Sequence, residues 1–476
     1  MSPIIIIKSG TTAIPGSIVK GSFSYFSAST RDLGPTSTTG LYSGIDAPTD
    51  GYTIYQIGGP NGFTIRVATN STELNAILIG AGATGTTLND RINWATNTNS
   101  IFINSGNTTP SVQKIIVGGN YTTFTGSTQN RLISLNPNGS KDSTFNIGTG
   151  FGAGVKTTSI QSDGKIVAGG DFTTFTGSSQ NRVIRLNSNG SKDSTFNIGT
   201  GFDGDVYLVA IQSDGKILVG GFFATYSGSS QNGLIRLNSD GSKDTTFNIG
   251  SGFNSAVLST ATQSDGKILA GGSFTTFTGS SQNSLIRLNS DGSKDTTFNI
   301  GSGFDGSGSI YSISIQTDGK IIVGGGFTTF TGSSQNFLIR LNSDGSKDTS
   351  FNIGTGFGGG VSNLSWVYST SIQSDGKIVA GGRFTTFTGS SQNRLIRLNS
   401  NGSKDTSFDI GTGFDGDIRS TPIQPDGKIL VGGDFSTYNE ATQVVLIRLN
   451  SDGSKDTSFD IGSSFNSNIL SISIST

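Results

Sequence analysis

Short apolar runs, each closed by Gly, Asn, Asp or Ser, follow one another along this chain. Residues 310–352 show the unit. Ile310, Ile313 and Ile315 lie in a first strand ending at Gln316. Thr317-Asp318-Gly319 is a hairpin turn, because Asp-Gly accepts the positive φ such turns need. Residues 320–324 form a second strand of continuous apolar character, as expected of a strand buried on both faces. Residues 331–336 read as a polar loop and residues 337–342 as a third strand, with Leu338 and Leu341 among its apolar positions. Asp344-Gly345 turns again, and residues 349–352 read as a short fourth strand carrying Phe351. A helical solenoid would need a 3.6-residue apolar period, and none is present.

The unit recurs. A Lys-Ile tract followed by an apolar pair and Gly-Gly places lysines at Lys114, Lys165, Lys216, Lys267, Lys320, Lys377 and Lys428, spaced by 51, 51, 51, 53, 57 and 51 residues. An Asn/Asp-Gly-Ser-Lys-Asp tract recurs in step, with aspartates at Asp142, Asp193, Asp244, Asp295, Asp348, Asp405 and Asp456. Four short antiparallel strands in about fifty residues suit one blade of a β-propeller. The expected fold is therefore all-β: a seven-bladed propeller over residues 105–476, preceded by a small β-rich domain over residues 1–104. The ends imply how the ring closes. Residues 469–474 align with residues 310–315 but have no second strand after them, whereas Lys114-Ile115-Ile116-Val117 lacks the usual strand and turn before it. Residues 469–474 should pair beside residues 114–118, burying two sheet edges.

The long motif Asp-Gly-Lys-Ile-x-x-Gly-Gly-x-Phe, followed by Ile-Arg-Leu-Asn-x-Asp-Gly-Ser-x-Asp-x-x-Phe, resembles the delta-60 repeat family of bacterial and phage β-propellers across roughly residues 111–476. That resemblance implies a propeller and no single activity.

Residues 1–104 lack the repeat. Residues 51–57, 63–67 and 76–79 read as strands with Gly and Asn turns. Residues 88–94 read as a short helix capped by Asn89 or Thr87, and Ile4 to Ile7 as an edge or core strand. The opening, Ile4-Ile5-Ile6-Ile7-Lys8-Ser9-Gly10-Thr11-Thr12 through Pro15 and Gly21 to Leu41-Tyr42-Ser43-Gly44, resembles the start of many phage fibre and tail proteins, with Ser22 where such proteins usually carry a glutamate. The resemblance implies attachment of the chain to a particle through other virion proteins.

Composition narrows the chemistry. Gly is 71 of 476 residues, about twice ordinary usage, and charged residues at 13% are about half the usual share. The net charge of −1 argues against nucleic acid as a partner, since that affinity needs clustered Lys and Arg. There is no Cys and no His, so disulfides, thiolate chemistry and the commonest general base and metal ligand are absent together. No secretory leader and no apolar run long enough to span a bilayer is read from the sequence. The expectation is a chain made in a cytoplasm and not inserted in a membrane.

Several patterns suggest sites. Oxygens of the Asn238 to Asp244 loop and its copies have spacings that suit Ca²⁺, although true calcium loops carry more carboxylates; a hairpin turn with Asp accepting from backbone N–H groups is the competing reading. Arg185, Arg236, Arg287, Arg340, Arg397 and Arg448 recur in the third strand, with Ser134 in the first repeat. They form an anion-binding ring or pair with the Lys-Asp carboxylates to tie strands and blades. The Phe-Thr-Thr-Phe-Thr-Gly-Ser-Ser-Gln-Asn tract at 172–181, 274–283, 327–336 and 384–393 offers hydroxyls and amides for a sugar or protein, or packs its Phe between blades. Glu73 and Glu440 make no acid pair of the glycosidase kind, and the Gly80 to Gly85 run lacks the lysine of a phosphate loop. Trp366 lies near an insertion containing Gly358-Gly359-Gly360, which marks that rim as a contact point. No catalytic, cofactor or metal residue is assigned. The expectation is a non-enzymatic virion component of a bacteriophage, in tail, fibre or head-decorating position, whose propeller meets a host-surface glycan or protein. A bacterial surface adhesin or carbohydrate-binding propeller is the alternative.

Overall fold

The computed structural model describes residues 113–305, 308–360, 364–443, 445–462 and 465–475, and before them seven short strands. The chain divides into two compact units, Met1–Val112 and Gln113–Thr476.

In the first unit Thr12–Ile14, Ile5–Ser9, Phe63–Ala68, Tyr52–Ile57 and Gly40–Tyr42 form a five-stranded antiparallel sheet in that order, with Ile5–Ser9 in its interior. Ile92–Trp94 pairs with Ile101–Ile103. The helix expected over residues 88–94 is thus corrected at its C-terminal end, where a partner strand holds the backbone extended. The strand expected over 76–79, Glu73 and the Gly80 to Gly85 run lie outside the described residues.

In the second unit each of the seven repeats has a three-stranded antiparallel sheet as its main sheet. In the fourth repeat Val257–Thr262, Ile268–Gly272 and Leu285–Leu288 pair in sequence order, and the second strand is wholly buried. The Gly-Gly that ends it has a steric cause. A Cβ on Gly272 would stand 2.0 Å from the Ala256 carbonyl, and one on Gly271 would stand 2.6 Å from Ile310 of the next sheet. Only glycine lets neighbouring sheets approach this closely.

The expected polar loop is instead a miniature hairpin. Thr276–Phe277 pairs with Ser280–Ser281 around Thr278 and Gly279, whose φ values of 47° and 78° fit a type I′ turn. The expected fourth strand is absent. In residues 349–352 the Asp348 Oδ1 accepts the Ser350 N–H at 3.0 Å, and Phe351 N–H donates to the Asp348 carbonyl at 3.3 Å. This turn bends the backbone away from strand geometry, and Phe351 packs under Arg340, 4.7 Å from ring centroid to guanidinium.

Among the described residues no sheet closes on itself. The first sheet, however, takes its first strand from the far end of the chain: Ile469–Ile474 pairs with Ile115–Gly119, with Ile472 opposite Val117 and Ser473 opposite Ile116. That strand also meets its neighbours on both sides. Thr158 N–H donates to Ser471 Oγ at 3.0 Å, and Ile472 N–H donates to Ser420 Oγ at 3.2 Å. Similar Ser and Thr links join the first strands of other repeats, such as Ser312 to Thr370 and Ser369 to Thr421, both 2.8 Å. Contacts between first strands therefore return to their starting point.

Candidate functional site

The seven repeats fold alike, so whatever builds a blade is common to all of them. Positions at which most repeats differ are not set by that common framework. Four structurally equivalent positions differ in this way. The residue after Gly-Gly is Asn120, Asp171, Phe222, Ser273, Gly326, Arg383 or Asp434. The residue before the third strand is Arg131, Arg182, Gly233, Ser284, Phe337, Arg394 or Val445. The residue just before the first core position of each first strand is Gly154, Asp205, Ala256, Ser309, Trp366, Asp417 or Asn468. The fourth is Lys156, Tyr207, Leu258, Tyr311, Tyr368, Arg419 or Leu470. All four lie at the same end of the strands, where Trp366 pairs with Arg383 and Asp205 with Phe222. At the opposite end the Asp-Gly-Lys and Asn/Asp-Gly-Ser-Lys-Asp turns are nearly invariant.

The fourth position is a β-bulge in every repeat: the register shifts across Lys156, Tyr207, Leu258, Tyr311, Tyr368, Arg419 and Leu470. A bulge re-aims a side chain without breaking the sheet. All seven are half-buried. Neighbours touch across repeats: Lys156 Nζ lies 4.6 Å from the Tyr207 ring centroid, the Tyr311 and Tyr368 centroids are 5.1 Å apart, and Arg419 lies 4.1 Å over Tyr368.

The densest group spans repeats five to seven. Trp366 stands 5.7 Å from Tyr368 and 6.4 Å from Tyr311, with the Arg383 guanidinium 4.6 Å over its ring. Arg383 Nη2 pairs with Asp417 Oδ2 at 2.8 Å, Arg394 Nη1 with Asp417 Oδ1 at 3.3 Å, and Arg419 Nη2 with Asp434 Oδ2 at 2.9 Å and Asp417 Oδ2 at 3.3 Å. Burial pushes the Tyr368 hydroxyl up to about 12, against the pull of Arg419 and Arg383. It therefore stays protonated at neutral pH and remains a donor.

A second feature lies between repeats three and four. A cleft of about 380 Å³ is lined by Asp203, Phe222, Phe223, Asn232, Phe253 and Asn254, among others. Phe222 is 61% exposed on its rim. Gly233, with φ 77°, stands where Arg182 and Arg394 take the same positive φ of 70°. Replacing Phe222 by Asp, the residue at the equivalent Asp171 and Asp434, should leave the melting temperature unchanged within the effect of about 0.5 kcal/mol usual for surface substitutions. A large fall on differential scanning calorimetry would show instead that Phe222 is packed.

The remaining sequence candidates either bond within the fold or lie exposed on turns and hairpins. In the Asn238 to Asp244 loop, Asp240 Oδ1 accepts the Ser242 N–H at 2.9 Å and its hydroxyl at 2.7 Å, while Asp244 Oδ1 accepts the Thr246 N–H at 3.0 Å. These oxygens serve the turn. The arginines tie blades together: Arg236 Nε meets Asp244 Oδ2 at 2.7 Å, Lys216 Nζ meets the same oxygen at 2.9 Å, and Arg236 Nη1 donates to the Ser290 carbonyl of the next repeat at 2.7 Å. Arg448 makes the equivalent bond to the Pro137 carbonyl of the first repeat. Phe274 and Phe277 of the repeated tract are buried against Phe253, with centroids 4.6 and 4.9 Å apart, while Ser280 and Ser281 are exposed. Glu440 is an exposed hairpin tip with φ 64°. Composition and spacing missed Tyr311, Tyr368, Arg383, Arg419, Phe222 and Gly233. The available signal was a set of positions at which most of the otherwise matching repeats disagree.

The aspartates of the Arg–Asp–Lys groups give an acid signature. Burial alone would raise Asp193, Asp244, Asp295, Asp348, Asp405 and Asp456. Hydrogen bonds from Thr or Ser, Lys and Arg outweigh it and hold these carboxyls well below the usual range. A carboxyl depressed in the folded state stabilises fully above its unfolded value of about 4, and that stability is lost as pH falls toward the folded value. The melting temperature should hold from pH 7 to about 4.5 and then drop steeply; a level profile down to pH 2 would contradict the assignment.

The family model described as "Domain of unknown function (DUF5122) beta-propeller" matches residues 114–145, 161–196, 212–247, 263–298, 316–351, 373–408 and 424–459, just over half of the chain. The chain belongs to this family. The DUF5122 match establishes a repeat β-propeller; it does not carry the delta-60 name or the virion resemblance of the opening residues. No curated protein matches the chain. Among solved structures, puromycin hydrolase is similar at 12% identity and TM-score 0.43, over 74% of this chain and 52% of that one. A gluconolactonase from Xanthomonas campestris matches at 12% identity and TM-score 0.33, over 66% and 92%. An ulvan lyase of polysaccharide lyase family PL25 matches at 15% identity and TM-score 0.31, over 61% and 82%. The DUF5122 chain spans about half the length of the hydrolase. At these scores the likenesses carry no argument about activity.

Proposed function

We propose that this protein is a non-enzymatic recognition platform: a closed seven-bladed propeller that meets its partner with the variable end of its blades. We place it on a bacteriophage particle, attached through residues 1–104. One observation carries the platform reading. Four positions at which most repeats differ lie together at one end of the strands, and the bulges there re-aim aromatic and charged side chains in five of the seven repeats, while the scaffold beneath is largely repeated. The particle setting rests on the resemblance of the opening residues to phage fibre and tail proteins. Host attachment is the role that joins the two. Mass spectrometry of purified particles should find the chain in stoichiometric amount. Its absence there, with recovery from the bacterial surface, would replace the virion setting with an adhesin. The aromatic and arginine cluster also suits that second setting.

A further inference from the structure

We infer that the cluster of Tyr311, Trp366, Tyr368, Arg383 and Arg419 is a binding site for an anionic saccharide. The inference rests on the platform reading and adds its ligand. Three observations converge. First, the three rings come from the adjoining first strands Ile310–Ile315 and Trp366–Ile372, with centroids 5.1 to 6.4 Å apart. Half-buried aromatic side chains lend apolar surface to the C–H groups of a pyranose, and their polar atoms stay near water.

Second, the guanidiniums bring more donors than the site has acceptors. Arg383, Arg394 and Arg419 all converge on Asp417, and Arg419 also uses Asp434. Asp415, nearby, already accepts from the Ser436 and Thr437 N–H groups at 2.8 and 2.9 Å. Arg383 Nη1 and Arg419 Nη1 have no partner among the described residues. A carboxylate or sulfate presents the acceptor oxygens that such forks lack, and arginine binds planar anions in two-pronged fashion.

Third, the arginines are held in place. Arg383 lies over Trp366 and Arg419 over Tyr368, each anchored by an aspartate. A donor fixed before binding loses less freedom on binding than a mobile one. The equivalent positions of the fourth repeat are Ser273, Ala256 and Leu258, with neither charge nor ring, so the blade does not require this cluster.

The test uses the full chain on an array bearing uronate, sialate, sulfated and neutral saccharides, together with acidic peptides. Binding is expected on anionic saccharides, with the array separating carboxylate from sulfate. It should fall more than tenfold in Trp366→Ala and in Arg419→Gln, and Arg419→Lys should not restore it. A Trp94→Phe chain, in which Trp366 is the remaining tryptophan, should change its emission when the bound saccharide is added. Ser280→Ala, on an exposed hairpin, should bind as the parent does. Melting temperatures separate lost binding from lost fold; if Trp366→Ala unfolds, Tyr311→Leu, the residue at the equivalent Leu258 and Leu470, is the milder variant and should also lower binding. Equal binding to neutral saccharides, binding to acidic peptides only, no binding at all, or binding untouched by these substitutions would overturn the inference. The particle assay is independent of all four results, so a failed ligand is distinguishable from a failed setting.

Discussion

Deleting residues 469–476 is expected to unfold or aggregate the propeller at temperatures where the full chain is stable. This strand is the first strand of the first sheet, supplied from the opposite end of the sequence. Its Ile469 and Ile472 are buried in a cluster with Val117, Leu430 and Phe465. Each buried isoleucine is worth about 1.5–3 kcal/mol, before the ladder to Ile115–Gly119 is counted. Removal also leaves Ile115–Gly119 as an unpaired apolar edge, which is a template for aggregation. The loss should exceed about 5 kcal/mol by this reckoning, read by urea unfolding and size-exclusion chromatography. A converse test uses the absence of native cysteine. Ile116→Cys with Ser473→Cys, opposite each other in the register, should cross-link on oxidation and gain about 2–4 kcal/mol over the reduced form. A truncated chain that unfolds like the parent would show that the terminal strand does not hold the blades together.

Asp295→Ala is expected to cost about 3–5 kcal/mol, because it strands a buried charge. Arg287 and Asp295 are each less than a tenth exposed, with Nε and Oδ2 2.7 Å apart, and Lys267 shares that oxygen at 3.2 Å. Arg287 also stacks on Phe298 and donates to the Ser343 carbonyl of the next repeat. Without Asp295 the guanidinium keeps its burial and loses its counter-charge. Arg287→Ser should be milder, about 1.5–3 kcal/mol, the scale of a hydrogen bond to a charged group. The chain itself supplies the precedent. Ser134 occupies the arginine position of the first repeat, and Asp142 there accepts from Ser134 at 3.1 Å and pairs with Lys114 at 2.9 Å. Equal losses in the two variants, measured by urea unfolding, would show that burial of the charge is not what makes the aspartate important.

The blade was legible where its signals are local. Asp-Gly at 318–319 and Gly345 set turns through their own backbone preference, and the apolar run at Ile321 to Val323 announces a buried strand. The pairing of arginine with the Lys-Asp carboxylate was legible because both recur at fixed spacing. The fourth strand was misread because Phe351 keeps strand-like apolar spacing while the Asp348 carboxylate captures the Ser350 N–H. The hairpin at Thr329–Phe330 and Ser333–Ser334 was missed because two-residue strands are too short to show a period.

The sequence by itself determined the number of blades, the order of the three main-sheet strands within each, and the need for the last strand to complete the first sheet. All of these follow from repetition and short-range turn chemistry. Only the tertiary structure decided where the differing residues meet. Tyr311, Trp366, Arg383 and Arg419 lie up to 108 residues apart. Adjacent first strands and aligned bulges bring them together at one end, and that proximity depends on how blades pack, which no single repeat encodes.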